Sequence, residues 1–145
     1  RHAALLHDIG KIGISEFIIN KTDKLNDTEF ATIKSHPCQG EQIIKPLTFL
    51  DDAIHHIRSH HESFDGRGYP DRLGGDDLSL LTRIMTVADA FDAMTSDRTY
   101  RSSMKTNKAV SELRRVAGKQ FDPEVVDAFA SSEIVKMKSD LESNY

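Results

Sequence analysis

The 145-residue sequence has a single cysteine, Cys38, and no long apolar run. One thiol cannot form an internal disulfide, so the chain is not a disulfide-stabilised scaffold and fits a reducing compartment. A helix that spans a bilayer needs about 20 mostly apolar residues, so no transmembrane span is expected. The sequence shows no signal peptide and does not begin with methionine, and we expect a cytoplasmic fragment that lacks its N-terminal part.

An excess of positive charge is also missing, since the formal net charge is −4. This charge argues against nonspecific DNA binding over the whole surface, although it leaves room for a local basic pocket that binds phosphate. Hydrophobic residues make up 38% of the chain and charged residues 29%, which is typical of a folded, soluble protein of one domain. There is no internal repeat and no low-complexity segment.

Apolar residues recur at helical spacing and no strand pattern is strong, so the expected fold is all-α. Predicted helices cover residues 3–8, 26–36, 39–45, 51–61, 79–96 and 106–118, and another begins at Pro123. Gly10 is expected to end the first helix. Asn26 and Glu29 have the spacing of a capping box, and Pro37 is expected to interrupt the helix that reaches His36.

The longest predicted helix follows Ser79, which we expect to cap it, and its buried stripe is predicted to be Leu80, Ile84, Val87, Ala88 and Phe91. Thr106 is predicted to cap the next helix. Residues 63–79 form a glycine-rich loop. The expected domain covers residues 1–131, and the polar tail at residues 132–145 is expected to fray.

Histidines and carboxylates in separate segments suggest one metal site, with the candidate ligands His7, Asp8, His36, His60, His61 and Asp89. Imidazole and carboxylate together suit iron, manganese, zinc or nickel. Six donors exceed the needs of one tetrahedral ion, which points to at least two metals of the kind used to cleave phosphate esters.

Simpler interpretations stay open for each segment. His7 could interact with a helix dipole, and Asp89 could pair with Arg83 instead of a metal. Asp92 could orient a ligand histidine or be an ordinary helix residue. Cys38 is an alternative ligand, although an unremarkable thiol is the simpler interpretation, and His55 and His56 are expected to lie on a solvated or packing face.

Candidate substrate contacts lie beside these donors. Lys11 would place a cation next to a metal-bound phosphate. The run Gly68-Tyr69-Pro70 offers close backbone approach and an aromatic face. Arg98 and Arg101 are either exposed loop residues or a clamp for phosphate or a guanine edge.

Taken together, these segments resemble the HD-GYP domain, a bacterial branch of the HD phosphohydrolase superfamily. The resemblance covers residues 1 to about 130 and rests on ordered motifs: His7-Asp8-Ile9-Gly10-Lys11, His36-Pro37, His60-His61-Glu62, Gly68-Tyr69-Pro70, Val87-Ala88-Asp89 and Phe121-Asp122-Pro123. It implies a helical bundle with a metal site between helices. It also implies hydrolysis of cyclic di-GMP to linear pGpG, with further cleavage to GMP as an option.

The resemblance also implies roles for individual residues. The six donors match the family's ligands for two or three divalent metals, iron or manganese first and zinc, nickel or magnesium as alternatives. Asp8 matches the bridging carboxylate, Lys11 the lysine at the scissile phosphate, and Arg98 and Arg101 the substrate-side basic segment. A further histidine ligand, and in some members a glutamate, is expected upstream of the given sequence.

Other functions and partners are implied with less detail. A degenerate domain that binds a dinucleotide or a protein without turnover is one alternative. A hydrolase of a hybrid cyclic dinucleotide or of guanosine tetraphosphate is another. Expected partners are an N-terminal sensory or receiver domain, a GGDEF-domain protein and a second copy of the chain.

Overall fold

The computed structural model describes residues 1–97 and 103–143, and this part of the chain is helical without any strand. The α-helices are α1 (His2–Leu6), α2 (Glu16–Ile19), α3 (Asp27–Lys34), α4 (His36–Ile44), α5 (Asp51–Ser59), α6 (Leu80–Thr95), α7 (Thr106–Arg115), α8 (Pro123–Ala130) and α9 (Glu133–Ser143). Short 3-10 helices occupy Ile9–Gly13, Thr48–Leu50 and Gly75–Asp77. The all-α prediction is confirmed. None of the described helices is both long and apolar enough to cross a bilayer.

Helix α6 joins two apolar cores. Its Met85 is buried with residues of α1, α4 and α5, in a cluster that includes Ile44 and Ile57. Further along the helix, Val87 and Phe91 are buried with residues of α7, α8 and α9. Because the candidate ligands are distributed over the first set of helices and α6, the first core fixes their relative positions.

Two predicted capping signals are confirmed. The side chain of Asn26 accepts a hydrogen bond from the amide of Glu29, and the Glu29 carboxylate accepts one from the amide of Asn26. Ser79 accepts a hydrogen bond from the amide of Thr82 at the start of α6. Pro123 lies in the first turn of α8 as predicted.

The predicted buried stripe of α6 is only partly correct. Val87 and Phe91 are buried, but Leu80, Ile84 and Ala88 are exposed. The helix presents a face rotated towards Met85 because it packs between two cores rather than against one. Leu80 and Ile84 instead line an open groove of about 540 Å³ beside α8.

The chain around His36 also differs from the prediction. Helix α3 ends at Lys34, and His36 begins a new helix, α4, with Pro37 in its first turn. Proline is well placed there because the first amides of a helix have no intrahelical acceptor. Gly10 does not end a helix but lies within the 3-10 helix Ile9–Gly13, against the backbone of α4.

The C-terminal segment is ordered into α9, so the expectation of a frayed tail is wrong for residues 133–143. Val135 is buried in the second core. Thr106 does not cap α7 with its side chain, because its amide and hydroxyl both donate hydrogen bonds to the Glu142 carboxylate of α9. Lys138 donates a hydrogen bond to Thr95 at 2.7 Å. The domain boundary at residue 131 stays a prediction.

Candidate metal and substrate site

The six predicted ligands come from four separate places in the helical scaffold. His7 and Asp8 connect α1 to the first 3-10 helix, His36 opens α4, and His60 and His61 follow the last turn of α5. Asp89 lies in the middle of α6. Positions at helix ends allow neighbouring residues to turn towards the same point, which two adjacent residues inside a helix cannot do.

Four of these side chains form a compact cluster. Asp8, His36, His60 and His61 each offer one donor atom, and these atoms all lie within 4.8 Å of one another. An Asp8 oxygen is 3.3 Å from His36 Nε2 and 3.9 Å from His60 Nε2. His36 and His60 are buried, whereas the Asp8 side chain is 42% exposed. The cluster is therefore embedded in the protein on its histidine side and open to solvent on its carboxylate side.

His7 and Asp89 adjoin this cluster. His7 Nε2 lies 3.6 Å from Asp8 Oδ2 and 3.5 Å from Asp89 Oδ1. Asp8 consequently stands between the two groups, with one oxygen towards His36 and the other towards His7 and Lys11. The six candidate donors therefore lie together, with Asp8 between the cluster of four and the His7–Asp89 pair.

Three histidines are held in the same orientation by main-chain carbonyls. Nδ1 of His7, His36 and His60 bonds to the carbonyl three residues earlier, at 2.9, 2.7 and 2.7 Å. A carbonyl only accepts, so Nδ1 carries a proton, and in the neutral ring Nε2 keeps its lone pair. The Nε2 atoms of His36 and His60 face each other at 3.0 Å. Two opposed lone pairs repel, and a cation bound beside them would remove that repulsion. A histidine fixed through its other nitrogen is typical of a metal ligand.

The protonation states also fit metal ligands. Burial lowers the pKa of His60 to about 4 and that of His61 to about 3, so both rings are neutral at neutral pH. The Asp89 carboxylate, 3.5 Å from His7 Nε2, raises the pKa of His7. Burial opposes ionisation of Asp8, yet its contacts with His36 and Lys11 hold its pKa well below the ordinary value. His60 and His61 thus offer neutral imidazoles and Asp8 an ionised carboxylate, the forms that bind cations.

Lys11 lies at the carboxylate side of the site. Its ammonium donates a hydrogen bond to Asp8 Oδ2 at 2.7 Å, and its side chain is 39% exposed. A cation at this mouth can contact an oxygen of a phosphate group that approaches the cluster.

The loop that contains Gly68-Tyr69-Pro70 packs directly against His61. The Tyr69 ring stacks on the His61 ring with centroids 4.9 Å apart, and the Tyr69 amide donates to the His61 carbonyl. A Cβ at Gly68 would lie 2.4 Å from the main chain of Glu62, so only glycine permits this approach. Burial raises the pKa of Tyr69 to about 12, and the phenol stays neutral.

Two residues that the sequence analysis did not assign hold this loop in place. The buried Glu62 carboxylate accepts a hydrogen bond from the Asp71 amide at 2.6 Å. Arg58 donates two hydrogen bonds to the Asp71 carboxylate, at 2.7 and 2.8 Å, and another to Glu41 of α4. Glu62 follows the His60-His61 pair in sequence, which was the only signal available for it. Arg58 had none.

Several alternatives considered for the sequence are resolved by the structure. Asp89 does not pair with Arg83, because Arg83 pairs with Asp122 at 2.7 Å. Asp92 is exposed and accepts a hydrogen bond from Ser96, as an ordinary helix residue does. His56 bonds to Thr82 and makes an edge-on ring contact with His55, and neither histidine nor Cys38 is among the clustered donors. Arg98 and Arg101 lie outside the described residues, so their predicted role stays a prediction.

The fold and the site together define an all-α domain built around a cluster of histidines and carboxylates. A protein-family model described as "HD domain" matches residues 1–125, and the chain belongs to this family. The predicted resemblance is thereby confirmed.

Curated relatives carry names of cyclic-dinucleotide phosphodiesterases. A 3'3'-cGAMP-specific phosphodiesterase 3 of Vibrio cholerae is 42% identical over 124 residues, which covers 86% of this chain and 27% of the relative. A cyclic di-GMP phosphodiesterase of Vibrio cholerae is 38% identical over 138 residues, with 90% and 28% covered. One from Thermotoga maritima is 40% identical over 135 residues, with 90% and 36% covered. The chain therefore spans about a quarter to a third of the length of these relatives.

A solved structure shares the fold. The crystal structure of a cyclic GMP-AMP specific phosphodiesterase of Vibrio cholerae matches with a TM-score of 0.63 at 20% identity. The match covers 93% of this chain and 38% of that chain. At this identity the likeness concerns the fold alone.

Proposed function

We propose that this chain is the catalytic domain of a metal-dependent phosphodiesterase that hydrolyses cyclic di-GMP to linear pGpG, with further cleavage to GMP as an option. The single observation that carries the proposal is the orientation of His7, His36 and His60. Each is held through Nδ1 so that its Nε2 atom points towards the Asp8 carboxylate. The names of the relatives supply the substrate class.

The donor set supports divalent metals of the first transition row. His7, His36, His60, His61, Asp8 and Asp89 would hold them, with Asp8 as the shared carboxylate. Nitrogen-rich donors suit iron, manganese, zinc or nickel, whereas magnesium prefers oxygen donors. Within this group we favour two or three ions of iron or manganese, which the resemblance to the HD-GYP domain implies. When bound, such ions supply Lewis acids that neutralise charge on the phosphate and ease deprotonation of water.

The protein's own groups would position the substrate around these ions. Lys11 is placed to contact an oxygen of the scissile phosphate and to stabilise its developing negative charge. Gly68 lets the loop approach so closely that Tyr69 covers His61, which shields one side of the cluster from water. Pro70 completes this loop, and Arg98 and Arg101 are proposed to bind the rest of the dinucleotide.

A hybrid substrate is the second candidate, because the relative at 42% identity is named as specific for 3'3'-cGAMP. The two substrates differ in one base and not in their phosphodiesters. The described residues of the site would contact the phosphate and not the base, so both substrates are compatible with the site.

The partners and the cellular location stay predictions. We propose a sensory or receiver domain, a GGDEF-domain protein and a second copy of the chain as partners, in a cytoplasmic setting. The low isoelectric point of about 6.0 fits the expectation that DNA is not a partner.

The test is a turnover assay on metal-loaded protein. The chain is purified without chelator, its metal content is measured by mass spectrometry, and cyclic di-GMP and 3'3'-cGAMP are each followed by chromatography. Formation of linear product that stops on chelation supports the proposal, and the ratio of kcat/KM values assigns the preferred substrate. Stoichiometric metal with no turnover of either compound would overturn it and favour a binding domain, which calorimetric titration would then detect.

A further inference from the structure

Lys34 presents a cation between two aromatic rings next to the site. It lies in the last turn of α3, where its ammonium is 4.6 Å from the centre of the Phe30 ring and 5.2 Å from the centre of the Tyr69 ring. The side chain is half-buried. Within residues 1–97 and 103–143, no carboxylate forms an ion pair with it.

The surroundings of Lys34 differ from those of the other lysines near the site. Lys11 pairs with Asp8, and Lys21 pairs with Glu29 of the same helix α3. A position in the last turn of a helix favours a lysine, but it does not require the ammonium to reach across to the Tyr69 ring. A cation over an aromatic face gains about 0.5–1 kcal/mol when it is exposed. Contact with an aromatic ring does not neutralise the ammonium, so Lys34 can still bind an anion.

Two ring contacts set an upper bound on the distance between the Lys34 ammonium and the His61 ring of the cluster. Its ammonium is 5.2 Å from the centre of the Tyr69 ring, which in turn stacks at 4.9 Å on the His61 ring. The ammonium therefore lies within about 10 Å of the His61 ring. This is the side of the cluster that the Gly68-Tyr69-Pro70 loop covers.

A cyclic dinucleotide contains two phosphodiesters in one ring, separated by a single ribose on each side. If one phosphodiester lies at the metal cluster, the other must lie close by and needs a cation of its own. We propose that Lys34, supported by the Phe30 and Tyr69 rings, forms a second phosphate subsite that binds the phosphodiester which is not cleaved. This inference rests on the proposed function, since it takes the cyclic dinucleotide as the substrate.

If Lys34 binds the second phosphodiester, its loss should affect only substrates that contain two phosphodiesters. If Lys34 only stabilises the fold, its loss should affect all substrates alike. Loss of the ammonium should raise KM for the cyclic dinucleotide roughly 10–100-fold, the range expected for one hydrogen bond to a charged group, with little change in kcat. Bis(p-nitrophenyl) phosphate contains a single phosphodiester and cannot use the second subsite. Its hydrolysis should therefore be unaffected.

The experiment compares three variants of the manganese-loaded chain with the wild type. Lys34→Met keeps an apolar stem over both rings but removes the charge, Lys34→Arg keeps the charge, and Lys108→Met removes an exposed lysine of α7. We expect Lys34→Met alone to raise KM for cyclic di-GMP, and Lys34→Arg to restore it. An unchanged KM in Lys34→Met overturns the inference, and so does an equal loss of activity on bis(p-nitrophenyl) phosphate.

Failure of the proposed function can be distinguished from failure of the subsite. If the wild-type chain hydrolyses bis(p-nitrophenyl) phosphate but not the cyclic dinucleotides, the proposed substrate is wrong. Calorimetric titration with cyclic di-GMP then tests the subsite directly. Binding that is roughly 10-fold weaker in Lys34→Met supports the subsite, whereas equal affinity, or no binding to the wild type, overturns it.

Discussion

Replacement of Gly10 by alanine tests whether the close contact between two segments of the site sets its geometry. A Cβ at Gly10 would lie 1.9 Å from the His36 carbonyl oxygen and 2.6 Å from the Gly40 amide nitrogen. Ordinary van der Waals contact begins at 3.4 Å, so the segment that carries Asp8 and Lys11 would have to move from α4 by about 1.5 Å. Both contact atoms belong to the main chain, and neither can rotate away.

The expected cost of Gly10→Ala has two parts. Overpacking of this kind costs up to about 3 kcal/mol of unfolding free energy, which corresponds to a fall in Tm of roughly 6–12 °C for a domain of this size. The displacement also separates Asp8 from His36, whose donor atoms are 3.3 Å apart. A misplacement of about 1 Å at a reacting centre costs ~100-fold, so metal affinity and turnover should fall at least that far.

Gly13→Ala is the matched control, because Gly13 lies in the same 3-10 helix. Its added Cβ would meet only the end of the Gln39 side chain, at 2.2 Å, and that side chain can rotate away. We expect its unfolding free energy to stay within about 1 kcal/mol of the wild type. Urea unfolding and metal analysis of both proteins give the comparison. Wild-type stability and metal content in Gly10→Ala, or equal damage from Gly13→Ala, would refute the reasoning.

Three further predictions concern the cluster and its loop. Asp8→Ala should lose at least one metal and all turnover, whereas Asp92→Ala should retain both, since Asp92 is exposed and accepts a hydrogen bond from Ser96. Equal metal loss in elemental analysis would contradict this. Burial lowers the pKa of His61 to about 3, and the unfolded chain binds a proton there below about pH 6.5 that the folded chain does not. The metal-free protein should therefore lose stability as the pH falls from about 6.5 towards 3. In urea unfolding at pH 7 and pH 5, His61→Asn should reduce the difference in unfolding free energy between the two pH values. A difference equal to that of the wild type would count against this. Arg58→Ala should raise KM roughly 10-fold at unchanged metal content, because the loop loses the ion pair between Arg58 and Asp71. Arg115→Ala removes a similar ion pair on α7 and should leave KM unchanged. A matching rise of KM in both variants would show that the effect is not specific to the loop.

The sequence predicted the helices that have local signals. Asn26, Ser79 and Pro123 mark helix starts with side chains that act within one turn, and each start is where the signal placed it. The buried face of α6 was not predictable in the same way. Leu80 and Met85 are similarly apolar, and only the arrangement of the neighbouring helices decides that Met85 is buried while Leu80 is exposed.

The C-terminal helix α9 shows a second limit of the sequence pattern. The segment after Ser131 is polar, and its apolar face depends on Val135 reaching a core made by other helices. Further support comes from Glu142, which accepts hydrogen bonds from Thr106, a partner 36 residues away in sequence. Such a long-range contact has no local signature, and a polar segment without one is reasonably expected to fray.

The same limit applies to the candidate site, where the donors could be predicted from the sequence and the groups that orient them could not. His7, His36 and His60 could be picked out because imidazoles near carboxylates are chemically distinctive. Their orientation comes from main-chain carbonyls three residues earlier, and every residue has a carbonyl, so no residue type marks these contacts. The same reasoning applies to Lys34, whose role depends on the distance of its ammonium from the Tyr69 ring and not on its place in a motif. The donors of the candidate site can therefore be predicted from the sequence. The geometric features that we propose for substrate binding arise only when α3, α4 and the Gly68-Tyr69-Pro70 loop come together.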